Sequence, residues 1–411
     1  MLEMPENIIS MKEVTEKDYK EHGKAQTKQL YRAMELVTPA DYEEFVKSHD
    51  SVMIEDQAVP IGRKWVIDKL GPDKDYKFET ETVWSFPNRG DWATHIGNYR
   101  GNWSPFIPRN LITKYTKPGE RVLDQMVGSG TTAVECKLLG RHGKFVDINP
   151  NAIMVTRDRL NFDYLSVDPD YPNDLKLETY VGDARNLDKI DNDSIDLIAT
   201  HPPYAYIISF SKSKVEGDLS SLKSLKDYLP AMRKIADECF RVLKCGKHCA
   251  ILIGDTRHHK HYVPIAVRVL QEFLNAGFIL REDIIKLQWK TKTTRERWRS
   301  SKLDFYRIAH EHLYIFRKPF NEEEKRKFKL SIRWWKQQPS TETVQPIKPI
   351  LLQHETEKTD LETFESKLNP YGFIYIPKNL IPLLPFDIGD KLRLKIDKAS
   401  KNVTITQLKG D

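Results

Sequence analysis

The sequence predicts an α/β fold in which helices cover both faces of a mostly parallel β-sheet. Between residues 120 and 320, short apolar runs of strand length alternate with amphipathic stretches of helix length. A glycine-rich turn follows the first of these runs, and open parallel sheets bind their ligands at such a turn. The 411 residues are enough for one core of this kind and one or two small appendages.

The alternating pattern defines the strands and helices of the core. The predicted strands are RVLDQM, HGKFVDI, LETYVG, IDLIAT, HCAILIG, GFILREDII and EHLYIFRK. The predicted helices are TTAVECKLLG, NAIMVTRDRLN, SLKDYLPAMRKIADECFRVL and VPIAVRVLQEFLNAG. Cys-Gly and Ala-Gly pairs end the last two helices, as glycine commonly does.

The composition changes along the chain and indicates four regions. Residues 1–80 are polar, with apolar residues at three- and four-residue spacings, and predict a helical N-terminal extension. Residues 81–320 form the predicted α/β domain, which opens on a loop rich in Trp, Gly, Pro and Asn. Residues 321–362 resemble a charged, Pro-containing linker, and residues 363–411 predict a small β-rich module.

Composition also excludes several classes of protein. The start of the chain has no basic stretch followed by an apolar one, and no run of about 18 apolar residues occurs, so we expect a cytoplasmic protein without membrane contact. Four cysteines are too few for a disulfide scaffold. Cys245 and Cys249 flank His248, but no second ligand pair accompanies them, so we expect no metal. A net charge of +6 permits contact with a polyanion and is weak evidence for one.

The first strand of the core leads into the strongest local motif. Asp124 stands at its carboxyl end, and Gly128 and Gly130 let the backbone turn sharply toward a ligand before a helix begins at Thr131. Because Gly130 is followed by two threonines and no lysine, the turn is not a P-loop. The motif therefore predicts a cofactor site that includes Ser129 and Thr132.

Acidic residues end the next two strands as well. Asp147 closes HGKFVDI and is placed to accept hydrogen bonds from ribose hydroxyls. Asp183, in YVGDARN, is a candidate acceptor for an adenine amino group. Three acids at successive strand ends are more than a stray turn would provide.

The segment from Val122 to Thr132 resembles motif I of the DNA amino-methyltransferases, usually written DPFxGSGTT. It departs at Gln125 and Met126, where Pro-Phe is usual. The resemblance implies a Rossmann-like sheet that uses S-adenosylmethionine, with Asp124 near the methionine amino group and Asp147 on the ribose. In this family a segment ending in FPxxLI forms the methionine end of the pocket, which implies roles for Ser104 and Pro105 here.

The fourth strand ends in His201, Pro202, Pro203 and Tyr204. Two prolines fix the backbone, a carbonyl can accept from an amino group, and an aromatic ring can stack on a flipped base. The sequence resembles motif IV of the same family, where Asp, Asn or Ser takes the place of His201. A neutral imidazole can accept one hydrogen bond, so His201 either accepts from the target amino group or is structural, with the Pro202 carbonyl acting instead. Since Asp and Asn accompany adenine in this family, cytosine N4 is favoured over adenine N6.

Two further segments indicate contact with DNA. Residues 286–302, KLQWKTKTTRERWRSSK, combine two tryptophans with a cluster of basic residues, and the alternative is a solvated basic hairpin. The residues predicted to bind DNA are Lys290, Lys292, Arg295, Arg297 and Arg299. The C-terminal YIPKNLIPLLPFDIGDKLRLKID is similar to AbrB-like swapped-hairpin modules, which implies a homodimer or auxiliary DNA binding.

Together these features predict a site-specific methyltransferase for double-stranded DNA, acting as the modification enzyme of a restriction-modification system with a cognate restriction endonuclease. Two alternatives stay open. One is methylation of an RNA base, and the other is a DNA-binding regulator with an inactive methyltransferase body.

Overall fold

The structure is a computed structural model. It describes residues 31–99, 101–204, 215–222, 224–289 and 304–333, and the backbone of two strands near the C-terminus. The chain divides into two compact units, Met1–Lys336 and Gln337–Asp411.

Strands and helices of the described residues follow the predicted alternation. The strands are β1 (Glu35–Val37), β2 (Ser51–Ile54), β3 (Gln57–Pro60), β4 (Val83–Ser85), β5 (Arg121–Asp124), β6 (His142–Asp147), β7 (Leu177–Val181), β8 (Ile195–Thr200), β9 (Leu243–Ile253), β10 (Thr256–His258), β11 (His261–Val263), β12 (Ile279–Leu287), β13 (His310–Arg317), β14 (Leu392–Asp397) and β15 (Asn402–Gln407). The helices are α1 (Pro39–Phe45), α2 (Phe106–Tyr115), α3 (Thr131–Leu139), α4 (Pro150–Leu160), α5 (Leu225–Val242), α6 (Ile265–Ala276), α7 (Glu322–Lys327) and α8 (Leu330–Arg333). A 3-10 turn spans Leu219–Ser221.

A nine-stranded sheet in the order β1-β7-β6-β5-β8-β9-β13-β12-β4 forms the centre of the first unit. The five strands from β7 to β9 are parallel, and β13 runs antiparallel to both of its neighbours. The strand order reverses at β5, so the carboxyl ends of β5, β6 and β8 lie along one edge of the sheet. Such a reversal point is where open α/β sheets bind ligands.

Each face of the sheet carries its own apolar core. On one face α5 and α6 pack together, and α5 buries Tyr228, Ile235 and Cys239 at helical spacing. The other core includes residues of α2, α3 and α4. Successive strand residues point to opposite faces, so Leu123 belongs to the first core and Val122 to the second. The mixed α/β fold with helices on both faces is therefore the predicted one, and each predicted strand and helix of the core is present.

The prediction of a helical extension over residues 1–80 is wrong for the part that the structure describes. Residues 31–80 contain one helix, the β2–β3 hairpin and β1, which pairs antiparallel with β7 at the edge of the large sheet. The Val37 carbonyl accepts from Arg157 Nε at 3.0 Å and from Thr179 Oγ1 at 2.9 Å. These long-range bonds hold β1 extended and override its helix-like apolar spacing.

The predicted linker begins differently from expectation. Its first residues form α7 and α8, and the Asn321 side chain caps α7 by accepting from the Glu324 amide at 2.9 Å. The second unit contains an antiparallel pair, β14 and β15, within the predicted β-rich module. Its AbrB-like character stays a prediction.

In the described ranges, no helix combines the length and the apolar character needed to cross a membrane.

Candidate active site

The turn between β5 and α3 is held closely against α4. Gly128 and Gly130 have positive φ angles of 55° and 83°, which glycine adopts without strain. A Cβ on Gly130 would lie 3.1 Å from the Cα of Thr156, so a side chain at this position would be in unusually tight contact with α4. Thr156 Oγ1 also donates to the Gly128 carbonyl at 3.0 Å. The turn is therefore fixed in position by its neighbours.

Asp124 lies beneath this turn and is 2% exposed. Its carboxylate accepts from Thr132 Oγ1 at 2.5 Å and from Thr200 Oγ1 at 2.8 Å. Burial raises the pKa of Asp124 to about 6. The side chain thus ties β5 to α3 and β8, and its predicted bond to a cofactor amino group stays a prediction.

The acids at the ends of β6 and β7 have different surroundings. Asp147 accepts from the amides of Gly128 and Asn149, each at 2.9 Å. Burial raises the pKa of Asp147 to about 7, and the charges of Asp218 and Asp124 contribute to the rise. Asp183 instead pairs with Arg185 through two contacts of 2.8 and 2.5 Å. Asp147 is therefore the acid whose charge is poorly compensated by the protein.

The aromatic loop before α2 is anchored on α3 by one buried carboxylate. Glu135 accepts from Trp92 Nε1 and is bonded to His95 Nε2, both at 2.7 Å. The Arg109 guanidinium lies 2.8 Å from the same carboxylate. A buried charge is tolerated when it is paired and hydrogen-bonded, so this cluster fixes the loop over the helix that follows the glycine turn.

Ser104 and Pro105, predicted to bind the cofactor, lie where this loop meets α2. Pro105 directly precedes α2, and Ser104 Oγ donates to the Arg89 carbonyl at 2.6 Å. The Arg89 side chain donates to the Trp103 carbonyl at 3.0 Å, and the same nitrogen lies 3.5 Å from Thr131 Oγ1. The loop therefore reaches the start of α3.

The residues that follow β8 form a hydrogen-bonded chain. His201 Nε2 lies 2.7 Å from the Tyr204 oxygen, and the Tyr204 hydroxyl donates to Glu311 Oε1 at 2.8 Å. Lys286 Nζ lies 2.8 Å from the other Glu311 oxygen. The Tyr204 ring packs on Gly254, where a Cβ would lie 2.6 Å from it.

Two other contacts hold this segment. The Trp103 ring stacks near the His201 ring, with centroids 5.9 Å apart. The Pro203 carbonyl accepts from the Tyr228 hydroxyl at 2.8 Å. The aromatic loop and the end of β8 are therefore in contact.

Burial and neighbouring charges set the protonation states of His201, Tyr204 and Glu311 in this hydrogen-bonded series. Burial lowers the pKa of His201 to about 4, although Glu311 opposes the shift, so the imidazole is neutral at pH 7. Burial raises the pKa of Glu311, but the charge and hydrogen bond of Lys286 outweigh burial, and the pKa is lowered to about 2. An ionised carboxylate only accepts, so it takes the single Tyr204 proton. The His201 ring bonds to the Tyr204 oxygen through Nε2 and also to the backbone of Gly101, and the Gly101 bond acts to raise the pKa of His201.

A cavity of about 680 Å³ is lined both by residues of the aromatic loop and by residues of the hydrogen-bonded series from His201 to Lys286. His201, Glu311 and Lys286 line one part of it, and Ser104 and Arg89 line another. Trp289 also lines the cavity, and its Nε1 donates to Ser85 Oγ at 3.1 Å. The predicted catalytic histidine therefore shares a cavity with the loop predicted to hold the cofactor. The basic residues predicted to bind DNA lie outside the described residues: Lys290, Lys292, Arg295, Arg297 and Arg299.

Three residues of the site were missed by sequence reasoning. Glu311 is an isolated acid at the start of an apolar strand, and Arg89 is one of three arginines within residues 81–110. Lys286 was grouped with the basic DNA-binding segment, but it pairs with Glu311. For Glu311 the available signal was an acid beside an apolar strand segment, whereas Arg89 lies in a polar part of the loop and carried no such signal.

Comparison with known families identifies the protein class. The family model of the N6 and N4 DNA methylases matches residues 11–158 and 195–376, more than half of the chain. The chain belongs to this family. It is therefore a DNA methylase of the amino-methyltransferase type, and S-adenosylmethionine is its cofactor. A search of curated proteins found no match.

Several solved structures resemble the chain. A methyltransferase from Methanosarcina mazei that depends on S-adenosylmethionine shares 16% identity, with a TM-score of 0.34 over 51% of this chain and 97% of that one. Phosphoethanolamine N-methyltransferase 2 of Haemonchus contortus, in complex with S-adenosylmethionine, shares 16% identity, with a TM-score of 0.31 over 52% of each chain. A candidate DNA modification methylase from Thermus thermophilus shares 20% identity, with a TM-score of 0.26 over 35% of this chain and 56% of that one.

The residues of the methylase site fit this cofactor. Asp147 offers a buried carboxylate, raised in pKa, to hydroxyl donors such as those of a ribose. Two buried nitrogens of the Arg89 guanidinium have no hydrogen-bond partner in the described part of the chain, and they suit an anionic group.

Proposed function

We propose that the protein is a site-specific methyltransferase that modifies an exocyclic amino nitrogen of a base in double-stranded DNA. The observation that supports this most strongly is the enclosed, neutral His201 at the end of β8, facing the same cavity as the cofactor loop. S-adenosylmethionine, when bound, supplies the electrophilic methyl group. The chain must supply the rest: a position for the base and an acceptor for its amino proton.

His201 is the proposed acceptor. The lone pair of an exocyclic amino group is conjugated with the ring, so the nitrogen is a poor nucleophile until its geometry becomes tetrahedral. A hydrogen bond from the amino group to the unprotonated nitrogen of His201 favours that geometry, and the amino proton leaves along the same bond. Tyr204, which bonds to His201 Nε2 and donates to Glu311, orients the imidazole.

We further propose cytosine N4 as the target. Its support is the absence of an acid or amide at the position of His201, since Asp or Asn accompanies adenine in the family. The remaining cofactor assignments are Asp147 on the ribose, Asp183 near the adenine, and Asp124 with the glycine turn at the methionine end. Tyr204 is proposed to contact the flipped base.

The basic segment 286–302 is the proposed DNA contact, and a homodimer formed through residues 363–411 is part of the proposal. We propose that the protein acts as the modification enzyme of a restriction-modification system, together with a cognate endonuclease.

Methylation-aware sequencing of DNA from a host that expresses the protein tests the base and the recognition sequence together. We expect N4-methylcytosine at one short motif, absent from a host that expresses His201→Ala. N6-methyladenine at such a motif would refute the cytosine assignment alone. Transfer of a labelled methyl group to RNA and not to DNA would refute the DNA substrate.

A further inference from the structure

Arg89 is a partly buried cation that the protein leaves incompletely paired. One terminal nitrogen donates to the Trp103 carbonyl at 3.0 Å. The Nε and Nη1 atoms are buried and have no hydrogen-bond partner in the described part of the chain. Buried donors without acceptors are costly and uncommon in folded proteins. The charged neighbour that affects Arg89 is Arg159, another cation, which makes the arrangement less favourable still.

The acids around the same cavity are already paired with other cations. Lys69 lies 2.8 Å from Asp73 and 2.9 Å from Asp91. Glu311 pairs with Lys286 at 2.8 Å. All five of these residues line the cavity together with Arg89, which is the charged lining residue without an ion pair in the described ranges. The missing acceptor is therefore expected from a ligand.

The position of Arg89 indicates which ligand. Its guanidinium reaches Thr131, the first residue of α3, directly after the glycine turn. The amides at the start of a nine-residue helix and an unpaired guanidinium both favour an anion at this point. Adjacent Nε and Nη1 donors of one guanidinium match the two oxygens of a planar carboxylate.

We propose that Arg89 binds the carboxylate of the methionine part of the cofactor through its Nε and Nη1 atoms. This inference rests on the proposed position of the cofactor at the glycine turn. It makes Arg89 a cofactor-binding residue in addition to Ser104, Pro105 and the turn itself. A DNA phosphate is the other anion that could meet a guanidinium, and the experiment separates the two sources.

The experiment compares two unreactive ligands by calorimetry: S-adenosylhomocysteine and its decarboxylated analogue. Arg89→Met should weaken binding of S-adenosylhomocysteine about 10- to 100-fold, the range for losing hydrogen bonds between charged groups. Binding of the decarboxylated analogue should change less than about twofold, because this ligand has no carboxylate for Arg89 to bind. Arg89→Lys keeps the charge without the paired donors and should recover part of the affinity. Lys69→Met, which removes a cavity cation that is already paired, should leave both affinities unchanged.

Thermal unfolding of each variant provides the folding control, and Arg89→Met should be at least as stable as the parent protein because an unpaired buried charge is removed. Equal losses for both ligands would overturn the proposal and leave Arg89 a packing residue. Unchanged S-adenosylhomocysteine binding with weaker, less salt-sensitive DNA binding would overturn it in favour of a phosphate. If Gly130 and Asp147 variants bind S-adenosylhomocysteine as tightly as the parent protein does, the cofactor position itself fails, and this inference fails with it.

Discussion

Cofactor binding should weaken as the pH falls through 7, because Asp147, the proposed ribose acceptor, must be ionised to accept from both hydroxyls and amides. Burial raises the pKa of Asp147 to about 7 in the free protein. Bound hydroxyl donors stabilise the carboxylate and lower that pKa, so binding of the cofactor releases a proton when the pH is below 7. Linkage then predicts that at pH 7 the affinity is about twofold weaker than its limit at high pH, and that at pH 6 it is about tenfold weaker than this limit. Below pH 7 the binding free energy therefore falls by ~1.4 kcal/mol per pH unit.

Calorimetry with S-adenosylhomocysteine at pH 6, 7 and 8 measures this dependence. Repeating each titration in buffers of different ionisation enthalpy counts the protons released. Asp147→Asn removes the titrating group, so its affinity should be lower at pH 8 by about 1 to 3 kcal/mol and nearly constant between pH 6 and 8. Asp183→Asn changes the next acid of the site and leaves Asp147 intact, so it is the matched control and should keep the pH dependence.

The amides of Gly128 and Asn149 also bond to the Asp147 side chain, so each variant needs a thermal unfolding curve. A pH dependence of the same slope in folded Asp147→Asn would refute the reasoning, since another group would then titrate. Affinity that does not vary in the parent protein would refute the assignment of Asp147 to the ribose.

Three further predictions concern the proposed catalytic histidine, its hydrogen-bonded partner Glu311 and the binding of DNA. Single-turnover methyl transfer at saturating cofactor should stay constant from pH 8 to about 5 and fall toward pH 4, where His201 gains a proton. A fall centred near 6.5 would show that burial does not hold the ring neutral. Glu311→Gln should lower the single-turnover rate and leave the affinity for S-adenosylhomocysteine unchanged, because a neutral amide no longer fixes the Tyr204 proton. An unchanged rate would show that the hydrogen bonds from His201 through Tyr204 to Glu311 are only structural. Combining Arg295→Ala with Arg297→Ala should weaken DNA binding and flatten its salt dependence, and an unaltered salt slope in a binding assay would leave the segment a solvated hairpin.

The core was predictable because its signals are local. Strands such as Ile195–Thr200 are mostly apolar and buried throughout, as central parallel strands are, and α5 has a single apolar face. Acids at the ends of β5, β6 and β7 could be placed together because parallel strands end at one edge of the sheet. These features depend on residues that are close in sequence.

The rest depends on pairings that sequence periodicity does not encode. The strand Glu35–Val37 is extended because it pairs with β7, about 145 positions further along the chain. Glu311 reaches Tyr204 from β13, and Arg89 reaches Thr131 from an irregular loop. Each of these contacts joins segments that are far apart in sequence and that only the fold brings together. The residue types alone therefore could not predict that these side chains lie close to each other.

The two titrating groups of the site should be separable in steady-state kinetics because they act at different stages. Asp147 matters to the free protein, so kcat/KM for the cofactor should fall below about pH 7, whereas kcat should persist because the bound cofactor keeps the carboxylate ionised. His201 matters to the complex with the base, so kcat should fall only near pH 4. A kcat profile that falls together with kcat/KM near pH 7 would place the same group in both steps and contradict the division of roles between β6 and β8.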